Sequence, residues 1–315
     1  MPTAADLISM LGRIMSLEFI LGVEAAAAII KEWPERPYTL KLPPASPIGR
    51  MVNAQTIRNL LDTGCAPSDY VNIYYQGEGL HPSRFTLDDR VMPASAQLLL
   101  ERGCTIQLRE LNRWHPAMSA LCVGIQAETG CSGYVTAFIT PPGAQGLDYH
   151  WDQYLGIVVQ LEGIKTWELF EPKVPAPWRD HSMSTSLWDD GWTKQWQEAG
   201  PDLAVELAAR DVLVLPRGWV HNPHSRDSQE TSVHLTFVVK ELTPQWIAER
   251  LIGSALNDPR FRAVIPPSEL ELVVLPKTLA GVRGLLIEHL REMNLGKVAS
   301  AVRHAMEVET SHNKL

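Results

Sequence analysis

TPPGAQGLDYHWDQYLGIVVQLEGIKTWELF, residues 140–170, is the stretch that decides the fold of this chain. The strand-like run Gly133–Thr140 leads into it and is followed by a loop rich in proline and glycine. A continuous apolar strand signal covers Tyr154–Leu161, breaks at Glu162-Gly163 and resumes as Ile164–Phe170. A strand, a loop, a short strand and a hairpin-like return predict a double-stranded β-helix, which is the jelly-roll form of a β-sandwich.

A metal site is predicted where the loop meets the next strand. Successive side chains of a strand point to opposite faces, so His150 and Asp152 share one face while Trp151 points away. His221 follows the apolar run Val212–Leu215 and a Pro-Arg-Gly turn, where a second strand can restart beside the first. Two imidazoles and one carboxylate on one face are the ligand set of non-haem Fe(II) oxygenases, which keep coordination positions open for substrates.

The alternative is that the H-x-D pair is accidental, because the chain contains ten histidines. The ordered succession of strand, loop, short strand and late histidine favours the metal site, since the core of the sandwich is where these three side chains would converge.

Residues 140–170 resemble the heart of the JmjC-domain 2-oxoglutarate oxygenases, in their cupin-like bacterial and ribosomal-oxygenase branch. The resemblance continues in LPRGWVH (residues 215–221) and SVHLTF (residues 232–237). It implies a mainly β protein with flanking helices. Residues 1–104 would carry N-terminal helices and flanking strands, 105–241 the double-stranded β-helix (cupin, JmjC) core, and 242–315 a C-terminal helical, dimerisation-like region.

The resemblance places His150, Asp152 and His221 on the family's iron ligands, and Lys165 on the cation that pairs with the distal carboxylate of 2-oxoglutarate. Strand alternation turns Lys165 inward with Trp167 and Leu169, and an unpaired buried charge would be very costly. The alternative is a solvated lysine at a hairpin end.

Further contacts to the cosubstrate are expected from the first and last core strands. Relatives in this branch often have Asn and Tyr on the first strand, where this chain has Thr136 and Phe138. The threonine keeps a hydroxyl that can reach a carboxylate, whereas the phenylalanine can only pack. On the last strand, Thr236 shares a face with His234.

The segment 175–201 contains four of the ten tryptophans. A loop of this length is often a functional lid, but the rings would equally cover an open edge of the barrel. Contacts to the prime substrate are expected from the following side chains: Trp178, His181, Trp219, Asn222 and His234.

The resemblance implies an Fe(II)- and 2-oxoglutarate-dependent hydroxylase that uses O₂ and releases succinate, acting on a protein or peptide side chain. A tailoring hydroxylase of an amino acid or small natural product is a second hypothesis, because fold does not determine the prime substrate. A non-catalytic or zinc-loaded metal-binding cupin is the third.

Composition agrees with such an enzyme. The 315 residues are 45% hydrophobic and carry a net charge of −8, which argues against nucleic-acid binding. The four cysteines form no C-x-x-C pair, and neither a signal peptide nor a run of membrane-spanning length is visible, so we expect a cytoplasmic protein that does not bind membranes. In the oxygenases that this chain resembles, helices after the barrel help to form dimers, so the resemblance implies a homodimer. The residues after the core leave little room for a complete winged helix as well.

Outside the core, the sequence predicts helices at positions that carry helix formers, caps or amphipathic patterns. They cover Ala4–Lys31, Asn53–Asp62, Pro93–Arg102, Thr243–Leu256 and, in two pieces broken near Asn294–Gly296, Leu279–Met306.

Overall fold

A computed structural model describes residues 17–50, 52–177 and 188–311. The described residues up to Glu241 belong to one compact unit, and Leu242–Ser311 form a second. Within these ranges, no helix combines the length and the hydropathy that a membrane crossing requires.

The strands all lie in the first unit. In chain order they are β1 (Tyr38–Lys41), β2 (Val71–Tyr75), β3 (Glu78–Gly79), β4 (Thr86–Leu87), β5 (Arg90–Val91), β6 (Thr105–Leu108), β7 (Gly133–Thr140), β8 (His150–Trp151), β9 (Leu155–Glu162), β10 (Lys165–Phe170), β11 (Leu203–Leu207), β12 (Asp211–Leu215), β13 (Val220–His224) and β14 (Ser232–Val239).

The α-helices frame the sheets in the first unit and make up most of the second. They are α1 (Glu18–Leu21), α2 (Val23–Lys31), α3 (Ala54–Asp62), α4 (Pro93–Glu101), α5 (Pro116–Thr129), α6 (Asp190–Ala199), α7 (Pro244–Gly253), α8 (Leu275–Glu292) and α9 (Leu295–Ser311).

Two antiparallel sheets form the core. The larger has eight strands in the order β1-β12-β9-β14-β7-β6-β2-β3, and the smaller has four in the order β11-β10-β13-β8. From β8 to β10 and again from β12 to β14, consecutive strands alternate between the two sheets, which is the winding of a double-stranded β-helix. The predicted fold class is therefore confirmed.

The hairpin between β9 and β10 turns at Gly163, which adopts a φ of +65°. A Cβ added there would lie 2.3 Å from the carbonyl oxygen of Thr231, so only glycine fits. Beside this turn, the register between β14 and β9 shifts between Val233 and His234, and such bulges commonly redirect side chains next to sites.

Burial explains why the larger sheet is so apolar. Strand β14 pairs with β7 on one side and β9 on the other, and all eight of its residues are buried. Helix α5 packs against β7 and buries most of its own length, including Met118 and Leu121. Strand β9 reads as a nearly continuous apolar run, whereas β14 alternates apolar residues with Ser232, His234 and Thr236.

Most predicted elements lie where the sequence places them, and two do not. The helical stretch predicted over Ala4–Lys31 is interrupted in its described part, because Gly22 at φ +82° separates α1 from α2. The tryptophan-rich segment is not a loop throughout, because it contains helix α6, capped by the Asp189 side chain.

The second unit begins with a capped helix. The Thr243 side chain accepts a hydrogen bond from the Trp246 backbone N–H, and Pro244 occupies the first turn of α7. Helices α8 and α9 are separated at Met293 and Asn294, close to the predicted break.

Candidate metal centre

His150 and His221 face each other across two paired strands. His150 on β8 is the direct register partner of His221 on β13, and their ring centroids are 4.1 Å apart. Asp152 follows β8, and its Oδ2 lies 3.8 Å from His221 Nε2. Potential ligand atoms of the three residues all lie within 4.8 Å of one another, a grouping that can hold a metal ion.

Backbone carbonyls orient both imidazoles. His150 Nδ1 lies 2.6 Å from the Asp148 carbonyl oxygen, and His221 Nδ1 lies 3.0 Å from that of Trp219. A carbonyl only accepts, so each Nδ1 carries the proton and each Nε2 keeps its lone pair for a metal.

Electrostatics keeps His221 neutral, as a metal ligand must be. Burial, followed by the neighbouring His150 imidazole, lowers the pKa of His221 to about 4. The turn after β12 adds a backbone anchor, since the Gly218 N–H donates to the Asp152 carbonyl oxygen at 2.9 Å.

A cavity of about 270 Å³ lies between the two sheets and includes the three potential ligands in its wall. The same cavity is lined by all four side chains predicted to contact a cosubstrate and by one predicted to contact the prime substrate. These are Thr136, Phe138, Lys165, Thr236 and His234. The structure thus brings together residues from β7, β10 and β14 that are far apart in sequence.

Lys165 is buried within this cavity wall and is only 2% exposed. Its ammonium donates to Thr140 Oγ1 at 2.7 Å, and among the described residues no carboxylate forms an ion pair with it. Burial lowers the pKa of Lys165 to about 7. An anion bound inside the cavity would favour the protonated, charged form of this amine and so raise its pKa again.

Two more buried nitrogens in the cavity wall have no hydrogen-bond partner: Trp167 Nε1 and His234 Nδ1. The His234 ring stacks on Phe138 at 4.8 Å and meets the edge of Trp167 at 5.6 Å. Trp167 is also 5.6 Å from the His221 ring, so it lies between the potential metal ligand and His234. Trp167 was not among the predicted site residues, although strand alternation with Lys165 was the available signal.

Two of the side chains predicted to contact substrate do not line this cavity. Trp219 does not line the cavity, because its ring packs in a core cluster with Leu169 and Leu215 and its Nε1 donates to the Glu35 carbonyl oxygen at 3.0 Å. Asn222 is buried on the opposite face of β13 from His221, where its side chain bonds to Gln145 and Glu168. Trp178 and His181 lie outside the described residues.

The described tryptophans of segment 175–201 form an aromatic cluster with residues of β8 and β10. Trp151 lies 5.1 Å from Trp188, and Tyr149 stacks on Trp196 at 5.7 Å. Trp151 is only 4% exposed, so the side chain between His150 and Asp152 packs away from the cavity, as predicted. This cluster packs against β8, the short strand that carries His150, on the face opposite the cavity.

Residues 107–245 match the family described as JmjC domain. The chain contains a JmjC domain. A bifunctional lysine-specific demethylase and histidyl-hydroxylase NO66 from Drosophila persimilis is 24% identical over 220 residues, which is 70% of this chain and 30% of that protein. Ribosomal oxygenase 1 of Homo sapiens is 29% identical over 147 residues, which is 47% of this chain and 22% of that protein. The chain thus spans less than a third of either relative.

Solved structures share the JmjC fold. The X-ray structure of Escherichia coli YcfD superposes with a TM-score of 0.55 at 16% identity, covering 88% of this chain and 70% of that one. A structure of YcfD, a ribosomal oxygenase, in complex with cobalt and 2-oxoglutarate gives a TM-score of 0.54 at 16% identity, with 87% and 69% covered. At this identity the likeness shows the fold.

Proposed function

We propose that this chain is an Fe(II)- and 2-oxoglutarate-dependent hydroxylase that acts on a protein or peptide side chain. One observation carries the proposal: a single cavity has two imidazoles and a carboxylate in its wall together with a buried ammonium that no described carboxylate neutralises.

The donor set fits ferrous iron. Two neutral imidazole Nε2 atoms and one carboxylate leave the remaining coordination positions of the metal to substrates, as in non-haem Fe(II) oxygenases. When bound, the iron supplies activation of O₂, coupled to decarboxylation of 2-oxoglutarate to succinate and hydroxylation of a C–H bond. His150, Asp152 and His221 would hold it.

The rest of the cavity fits a dicarboxylate. Lys165 supplies a charge partner for the carboxylate remote from the metal, because pairing restores the ammonium that burial disfavours. Trp167 Nε1–H is a donor without an acceptor, and neutral His234 offers one more ring N–H. An acceptor-rich anion satisfies such groups, whereas an apolar ligand would leave them unpaired.

The other lining residues position the ligand and exclude water. Phe138 holds the His234 ring by stacking, so the imidazole has little rotational freedom. Thr136 and Thr236 are direct register partners on β7 and β14, and their hydroxyls can reach a carboxylate.

A protein substrate is supported by the relatives, which carry the names histidyl-hydroxylase and ribosomal oxygenase. A homodimer is supported by the exposed apolar side chains of the second unit, among them Val264, Leu272 and Val273 at 89%, 87% and 93% exposure. Light scattering of the wild type and of Leu272→Asp/Val273→Asp tests the dimer, which the double substitution should dissociate. A cytoplasmic location stays a prediction.

Anaerobic titration with Fe(II) and 2-oxoglutarate tests the function. We expect a metal-to-ligand charge-transfer band, then succinate formation on addition of O₂ and a gain of one oxygen in the modified peptide. Asp152→Ala should remove both the band and succinate. A protein that binds zinc tightly and yields neither signal would be a metal-binding cupin without this activity, and an Asp152→Ala variant with full turnover would overturn the ligand assignment.

A further inference from the structure

The strand that carries His150 is short and interrupted. Only His150 and Trp151 pair with β13, and the next bridge toward the N-terminus joins Gln145 to His224. Between these two pairings the segment that carries His150 advances five residues, whereas β13 advances three. Residues 146–149 therefore bulge out of the ladder. Bulges beside sites often aim a neighbouring side chain.

This bulge supplies the acceptor that orients His150. The Asp148 carbonyl oxygen lies within it and is 2.6 Å from His150 Nδ1. The position of that carbonyl therefore decides which imidazole nitrogen carries the proton and where Nε2 points. Whatever holds the bulge in place also holds His150 in the geometry a metal requires.

Three side chains on the face of the sheet opposite the cavity hold the bulge. Gln145 Nε2 donates to the Leu147 carbonyl oxygen at 3.2 Å and to Asn222 Oδ1 at 2.5 Å. Asn222 Nδ2 in turn donates to Glu168 Oε2 at 2.6 Å. Glu168 is the direct register partner of Asn222 across β10 and β13, and Arg226 lies 3.6 Å from the same carboxylate oxygen.

We propose that Gln145, Asn222 and Glu168 are positioning residues that fix His150 through the bulge at residues 146–149. The hydrogen-bonded series Gln145–Asn222–Glu168, here called the relay, requires an amide at position 222. That side chain accepts from Gln145 and donates to Glu168 at the same time. The inference rests on the proposed metal centre and deepens it, because it names residues outside the cavity that hold the metal ligand in place.

Swapping the amide of Asn222 and the carboxylate of Glu168 tests this role. In Asn222→Asp, the introduced carboxylate still accepts from Gln145 but meets the Glu168 carboxylate, so the link breaks. In Asn222→Asp/Glu168→Gln, the introduced amide donates to the introduced carboxylate and the link is rebuilt. Asn59→Asp, at an exposed asparagine that accepts from Gln55, is the matched control.

The measurements are Mn(II) affinity by electron paramagnetic resonance and amide hydrogen exchange of residues 146–150 in the metal-free protein. We expect Asn222→Asp to weaken Mn(II) binding about 10- to 100-fold, as loss of a partner that orients a ligand does. It should also accelerate exchange in the bulge. The double variant should recover both properties, and Asn59→Asp should change neither substantially.

If Asn222→Asp does not fold, Gln145→Met breaks the same link without adding charge and should shift both measurements in the same direction. Wild-type affinity and exchange in both Asn222→Asp and Gln145→Met, or no recovery in the double variant, would overturn the positioning role alone. If the wild-type protein binds no Mn(II), the metal centre fails and this role fails with it.

Discussion

Lys165→Met should weaken 2-oxoglutarate binding and make the metal-free protein more stable. The substitution keeps the length and much of the volume of the side chain but deletes the ammonium, which is 2% exposed and has a threonine hydroxyl as its partner. A residue that served only to hold the fold would show the opposite effect on stability.

The magnitude follows from the pKa of Lys165, which burial lowers from 10.5 to about 7. At about 1.36 kcal/mol per unit, carrying this lysine near neutral pH costs the folded state on the order of 4 kcal/mol. The lost hydrogen bond to Thr140 offsets about 1 kcal/mol of the gain. We therefore expect stabilisation of roughly 2–3 kcal/mol, or an increase in Tm of about 4–12 °C at 2–4 °C per kcal/mol.

The same change should weaken 2-oxoglutarate binding by roughly 30-fold or more, because removing one member of a buried charge pair costs about 2–5 kcal/mol. Calorimetry with the Mn(II)-loaded protein measures this affinity, and thermal unfolding of the metal-free protein measures stability. Lys297→Met, at an exposed lysine of the second unit, is the control. Near wild-type affinity for 2-oxoglutarate, or a Tm several degrees lower, would refute the reasoning.

Three further outcomes are expected. The affinity for 2-oxoglutarate should be constant below about pH 7 and fall as pH rises further, because the free protein then loses the Lys165 proton that the complex retains; an affinity that rises above pH 7 would contradict this. Trp167→Phe keeps a ring but removes the unpaired Nε1–H, so binding of 2-oxoglutarate should weaken about 5- to 10-fold with Mn(II) affinity and Tm maintained. Gly163→Ala should clash with the Thr231 carbonyl and lower the free energy of unfolding, measured by thermal unfolding. The loss should exceed that of Gly143→Ala, where φ is +69° and nothing lies within 4 Å, by roughly 2 kcal/mol or more. Equal costs for the two glycine substitutions would show that the clash relaxes.

Local patterns were sufficient for the strands of the core and for the three potential metal ligands. Strand β7 has the predicted bounds, and the alternation that put His150 and Asp152 on one face also turned Trp151 outward. Pairing at long range was not readable from the sequence. Strand β1, for example, pairs with β12, more than 150 residues later in the chain.

Asn222 and the segment around α6 show two limits of sequence reasoning. Asn222 was expected near the substrate because it follows His221, yet neighbours on a strand face opposite ways, so adjacency in sequence meant separation in space. The segment around α6 was treated as a loop, although Trp188, Trp192 and Trp196 recur every four residues and Asp189 is a good helix cap.

The unpaired nitrogens of Trp167 and His234 could not have been predicted. Alternation shows that both side chains point inward, but a missing acceptor is a property of the packed cavity and depends on every neighbour. That these two nitrogens lack partners therefore became visible only in three dimensions.

The position of β8 has a consequence for how a metal would affect the folded chain. This two-residue strand lies at the edge of the smaller sheet, and an ion bound there would cross-link Asp152 to His221. This cross-link closes a loop of about 70 residues, and a loop of this length loses considerable conformational entropy when its ends are joined. Chelation should therefore first loosen the β8 edge, leaving the eight-stranded sheet intact.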